Sequence, residues 1–181
     1  MDMSESGPAA AVKDWLGRFI IPYRICPFAE RVHEQQSIRY RVLDDADAEA
    51  CLLALIAECR ILDQLPSIET TLLIFSQALA DFDDFLDLTA VAEQLMPQQG
   101  YQGVYQLAHF HPGYRFAGCD ADDPANYTNR SPYPMWHLLR EERLEQALAH
   151  YPHPELIPER NIRLCRELGS AKLRRILGLA E

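Results

Sequence analysis

Two histidines two residues apart, His109 and His111, close an apolar run that reads as a strand. Alternate strand side chains share a face, so this pair could ligate one metal ion, hold haem iron or supply a base. Equally open is the plainer reading that each ring hydrogen-bonds to the loop that follows. Cys26, in ICPFA, stands before Pro27, which can open a helix, and a helix N-terminus stabilises a thiolate. Such a cysteine serves as nucleophile, redox thiol or soft metal ligand, or simply packs. In NYTNRSPYP, Asn126, Asn129, Arg130 and Ser131 offer donors of fixed geometry, and Arg130 could clasp a carboxylate with both arms of its fork. The competing reading is a network that ties the loop to its own backbone. His137 and Arg140 fall one turn apart in a helix expected over Met135 to His150, with His137 near its N-terminus and therefore neutral, a ligand or a base.

These residues need elements to place them. Val12, Trp15, Leu16, Phe19 and Ile20 recur at helical spacing after Pro8 and predict a helix ending at Pro22. Ser37 to Leu43 alternates Ile38, Tyr40 and Val42 with Arg39 and Arg41, the pattern of a half-exposed strand. Ala46 to Leu62 reads as an apolar helix, TTLLIF from Thr70 to Phe75 as a central strand, and the stretch from Phe82 as a helix stopped by Pro97. Gly103 to Phe110 is the third strand. Pro158 opens a helix that ends at Gly169, and Ser170 is expected to cap a last one. Two successive strand-helix-strand units predict an α/β fold, with α+β the alternative: a sheet of three or four strands, helices packed against it in a single-layer core. After the third strand comes a long irregular loop, Pro112 to Pro132. Its Tyr114, Phe116 and Tyr127 argue for order, and its length for function. Asp120, Asp122 and Asp123 lack the Gly and Glu that a calcium loop requires.

Composition narrows the function. The 181 residues suit one domain, 1–181, and their net charge of −10 argues against binding nucleic acid through phosphates. No apolar run reaches the roughly 20 residues that span a bilayer. The acidic opening, MDMSESGPAA, does not resemble an export signal, and five irregularly spaced cysteines without a CxxC pair fit a reducing compartment, so a cytoplasmic location is expected.

ICPFAERVH, HFHPGYRFAGCD, NYTNRSPYP and HLLRE together resemble the uncharacterised family catalogued as domain of unknown function 1415, over nearly the whole chain. A second, weaker likeness is to the YqcI/YcgG family, associated with haem-dependent oxygenation, carried by Cys26-Pro27, Phe110-His111 with Tyr114 and Phe116, and Asn129 to Pro134. That likeness implies haem or iron. In this form His109 or His111 holds the iron, Arg130 or Arg140 pairs with a propionate or a substrate carboxylate, and Tyr114 walls the cavity. Cys26, His111 and His137 are then the catalytic candidates, and Asn126, Asn129, Arg130 and Ser131 contact a small carboxylate- or amine-bearing substrate.

Two other readings use the same residues. One is a cofactor-free thiol enzyme with Cys26 as nucleophile and a histidine as base; the other is a non-catalytic module that binds a small anion. A homodimer is compatible with all three. Each supposes that Cys26 and the imidazoles of His109 and His111 meet in one hollow.

Overall fold

The computed structural model describes residues 7–178. The acidic opening, residues 1–6, lies outside them. At the centre is β2, Thr70–Phe75, all six of whose residues are buried, as a β-branched and apolar run with no polar alternation requires. On one side it pairs in parallel with β1, Ile38–Leu43, and on the other in antiparallel fashion with β4, Met135–Arg140. β3, Tyr105–Phe110, then pairs antiparallel with β4, giving the order β1-β2-β4-β3.

The fold is thus α/β with a mixed four-stranded sheet. The first crossover, through α3 (Ala48–Gln64), joins neighbouring parallel strands; the second, through α4 (Phe82–Gln98), does not, because β4 is inserted between β2 and β3. Here the expected helix over Met135 to His150 is corrected. Six of its residues are β4, and the helix α5 begins only at Glu141 and runs to Ala149. Pro134 suits the start of either element, and its carbonyl accepts the N–H of Phe75, which sets the strand going. In MWHLLR both alternating sets are largely apolar, as a strand buried on both faces demands, and helical periodicity cannot be told from that pattern. His137 and Arg140, three apart on a strand, therefore do not share a face.

Helices cover both faces, so the core has two parts instead of the single layer expected. On one face α3 and α4 bring Leu55, Cys59, Leu62 and Phe85 against Leu73, Phe75, Trp136 and Leu138. On the other, α1 (Pro8–Trp15), a π-helical turn (Leu16–Ile20), α6 (Ile157–Leu168) and α7 (Ser170–Ile176) bring Val12, Phe19, Cys165 and Leu173 against Leu72, Ile74 and Met135. Each buried side chain of this size contributes roughly 1.5–3 kcal/mol. Trp136 is fully buried with its indole satisfied, Nε1 donating to Thr89 Oγ1 at 2.8 Å.

Three smaller expectations can be set against the structure, and two of them change. β1 is half-exposed as expected, with Arg41 open to solvent, but its other arginine is engaged: Arg39 reaches under α3 to Glu58, which is 2 % exposed, with Nε to Oε2 at 2.7 Å and Nη2 to Oε1 at 3.2 Å. Pro97 does not stop α4 but sits inside its last turn, where the missing N–H costs one bond and Gln99 still donates to Leu95. Ser170 is the first residue of α7, not its cap, and its hydroxyl donates to the Asp122 carbonyl instead.

Candidate functional site

The long loop spends its polar side chains on itself. Asn126, fully buried, accepts the Phe116 N–H at Oδ1 and donates from Nδ2 to the Asp120 carbonyl at 2.8 Å. Arg130 donates to the carbonyls of Tyr114 (3.1 Å) and Ala121 (2.6 Å) and lies over the Tyr127 ring. Asn129 donates to the His109 carbonyl, Ser131 to that of Tyr133. Asp123 starts the 3-10 helix Pro124–Thr128 by accepting the Ala125 N–H and forks with Arg166 of α6, which holds its carboxyl down to about 2. The donors expected to meet a substrate here fold the loop that carries them. Arg140 is committed likewise: from the end of β4 it donates to the carbonyls of Leu62 and Ile68, in the last turn of α3 and just beyond it.

His109 and His111 do share one side, toward α4. His111 accepts the Gly113 N–H at Nδ1 (2.9 Å), which places its proton on Nε2, and Nε2 donates to the Leu79 carbonyl at 3.0 Å. Both nitrogens are occupied, and the ring packs between Phe82 and Phe85. His109 stacks on Tyr114 with centroids 5.6 Å apart, and its buried Nδ1 has no partner. Burial pushes the pKa of both rings down, so both are neutral. The pair does not offer two free nitrogens to one iron. Among the described residues no group of three or more His, Cys, Asp and Glu is arranged for a metal ion.

Cys26 and His137 lie across the sheet from that pair. His109 is paired in register with Trp136, so the neighbouring His137 points to the opposite face, where Cys26 packs with the terminal helices. The hollow in which Cys26 was expected to meet the paired histidines does not form. What forms instead is a cavity of about 370 Å³ between that face of the sheet, the π-helical turn, α2 (Ala29–Glu34), α5 and α6, touching both Cys26 and His137. Its walls are mostly apolar: Trp15, Ile20, Phe28, Leu72, Phe110 and Leu144 among them.

The spare hydrogen-bonding capacity in these walls is small and can be assigned. Thr70 donates its one hydroxyl proton to the Leu138 carbonyl. The 2.7 Å contact between Thr70 Oγ1 and His137 Nε2 must then run from a protonated Nε2 to the hydroxyl oxygen. That leaves the His137 Nδ1 lone pair open. Burial pushes this imidazole down to about 4, so it is a neutral acceptor at physiological pH. Cys26 lies just before α2, but α2 starts two residues later than Pro27 would start it. The thiol is pushed up by burial, against the weaker pull of the Phe28 and Ala29 N–H groups, and is therefore protonated. No hydrogen bond joins Cys26 to His137. Trp15, also in the wall, keeps a buried Nε1–H without a partner. At the rim, Arg31 and Arg143 each come to 3.8 Å from the Glu69 carboxylate. Asn161 and Thr128 are satisfied by backbone carbonyls.

Thr70, Trp15, Arg31, Glu69 and Arg143 carry no local sequence signal. Thr70 lies 67 positions from His137, and only the β2–β4 register brings them together. The family described as "Protein of unknown function (DUF1415)" matches residues 8–175. This match bears on the first of the two likenesses noted above and leaves the second without support. No curated protein and no solved structure matches the chain.

Proposed function

From its membership of the DUF1415 family, to which the chain belongs across residues 8–175 and which prescribes no activity, we propose that the protein binds a small, mainly apolar molecule. The ligand's body fills the cavity beside the sheet, and its hydrogen-bond donor meets His137 Nδ1. One observation carries this reading: a cavity of about 370 Å³, within the ordinary size of ligand sites, has apolar walls and an imidazole oriented by Thr70 so that a single lone pair stays free. If each non-hydrogen atom takes roughly the 30 Å³ of a water molecule, the ligand has about a dozen of them.

Binding is favoured over turnover. A general base works best with a pKa near the operating pH, and His137 lies well below it. A nucleophilic cysteine must be a thiolate, and Cys26 is held as a thiol. The thiol-enzyme reading keeps one supporting observation, that both residues touch the same cavity. Iron held jointly by His109 and His111 does not fit the donors present, because both nitrogens of His111 are taken, whereas His109 Nδ1 is buried without a partner.

Decan-1-ol, with ten carbons and a hydroxyl, tests the reading. Trp15 lines the cavity while Trp136 is buried on the other face of the sheet, so ligand entry is expected to change tryptophan emission saturably and to raise the unfolding temperature. Ala29→Phe, whose ring takes up about half of the dozen atoms' worth of space, should weaken both effects. An emission and unfolding temperature that do not respond up to the solubility limit of the alcohol would overturn the reading.

A further inference from the structure

We infer that the ligand of this cavity is an anion, its carboxylate or similar head held at the rim by Arg31 and Arg143, with Glu69 keeping the two guanidinium groups in place. The inference rests on the cavity reading above and adds the chemical class of the ligand's head. It follows first from charge. Of the charged residues in the cavity wall, three are arginines, Arg31, Arg140 and Arg143, and one is an acid, Glu69, in a chain whose net charge is −10. The local sign is opposite to that of the whole molecule, which concentrates anions at this opening.

Geometry separates the three cations. Arg140 is spent on the Leu62 and Ile68 carbonyls, with its Nη1 at 3.4 Å from the Tyr105 hydroxyl. Arg31 and Arg143 have no such bonds. Each approaches Glu69 at 3.8 Å, beyond hydrogen-bonding distance, and their side chains are 50 % and 51 % exposed while that of Glu69 is 15 % exposed. One carboxylate between two guanidinium groups, within ion-pair distance of both but hydrogen-bonded to neither, leaves a net positive charge and unused N–H forks on both sides. Arg31 comes from α2 and Arg143 from α5, and both line the cavity, so it is the shared approach to Glu69 that makes them a pair there. An anionic head there gains charge-assisted hydrogen bonds, while its apolar tail enters the cavity.

A decanoate and an alcohol that each carry a terminal hydroxyl for His137 Nδ1, 10-hydroxydecanoate and decane-1,10-diol, alike in chain length and different in head, form the test, read by tryptophan emission and calorimetry. The decanoate is expected to bind the protein about tenfold more tightly than the alcohol, the factor that one good charge-assisted bond supplies. Its affinity should fall as sodium chloride is raised from 50 to about 500 mM, and that of the alcohol should not. In the double variant Arg31→Gln, Arg143→Gln the ratio of the two affinities should fall to about one, and in Glu69→Gln it should rise. Circular dichroism and the unfolding temperature confirm that each variant is folded. If the alcohol binds and the decanoate shows no advantage, or if its advantage survives the double variant, the anionic head is wrong and the cavity reading stands. If neither ligand binds, the cavity reading fails and the head assignment falls with it.

Discussion

Among single side chains, His137 shows how a residue's neighbours decide what its chemistry is worth. Thr70 fixes its tautomer, burial fixes its charge, and one lone pair is left unused on a residue that lines the cavity. The same state has a measurable effect on stability. The folded protein holds this ring near a pKa of about 4, below the ordinary histidine value, so between pH 6.5 and 4 the unfolded chain takes up a proton that the folded one refuses. Its contribution is present above that window and is lost as the pH falls through it. Wild-type stability minus that of His137→Gln should shrink by up to about 3 kcal/mol from pH 7 to pH 4, in urea unfolding at each pH. His109 and His111 are depressed in the same direction and remain in both proteins, so the difference isolates His137. A difference that does not vary with pH would show that His137 is not held neutral by folding. His137, Cys26 and the HxH pair were all legible as reactive types. Their partners were not, because Thr70, Leu79 and Gly113 are ordinary residues whose relevant atoms include backbone groups that no composition reveals.

Pairs of elements are locked by contacts that a local pattern does not announce. β1 shows Arg39 and Arg41 where a solvent face was expected, yet Arg39 forks with Glu58 in the middle of α3, a helix whose apolar sequence predicts burial and whose one buried acid the arginine neutralises. Removing Arg39 leaves that carboxylate under the helix without its counter-charge. Loss of one partner from a buried pair costs 3–5 kcal/mol, and with 34 % of the Arg39 side chain exposed a smaller loss of about 1–3 kcal/mol is expected for Arg39→Ala in urea unfolding. Glu58→Leu in the same background should recover part of it, since an apolar side chain does not need the partner. No loss in Arg39→Ala would mean that the pair contributes nothing beyond solvation. Helix and strand lengths read well where the pattern was unambiguous, as in TTLLIF, and failed at Met135 to Arg140. There, strand and helix patterns coincide, and the deciding factor is the edges of β2 and β3 waiting to be paired on either side.

The whole molecule is unevenly packed. The face covered by α3 and α4 packs Leu55, Leu62, Phe85 and Trp136 into one buried cluster, whereas the face covered by the terminal helices contains the cavity, roofed in part by α5, which contributes Leu144 and Ala147 to it and has no fully buried residue of its own. Amide exchange should follow that division. α5 is expected to exchange through local opening far faster than α3 or β2, and a ligand that fills the cavity should slow α5 selectively. Equal protection of α5 and α3 in the free protein would contradict it. The sequence by itself determined which segments are apolar enough to be strands and helices, that the sheet is layered with helices, and that the chemically able residues crowd into Ala108 to Glu141, because hydrophobic periodicity and side-chain type are properties of the chain. Which face of the sheet each imidazole meets, that Arg130 and Asn126 fasten their own loop, and that Arg31 and Arg143 converge on Glu69 were decided only by the tertiary structure. The insertion of β4 between β2 and β3 turns on long-range pairing, and a one-residue change in that register would send His137 to the opposite side.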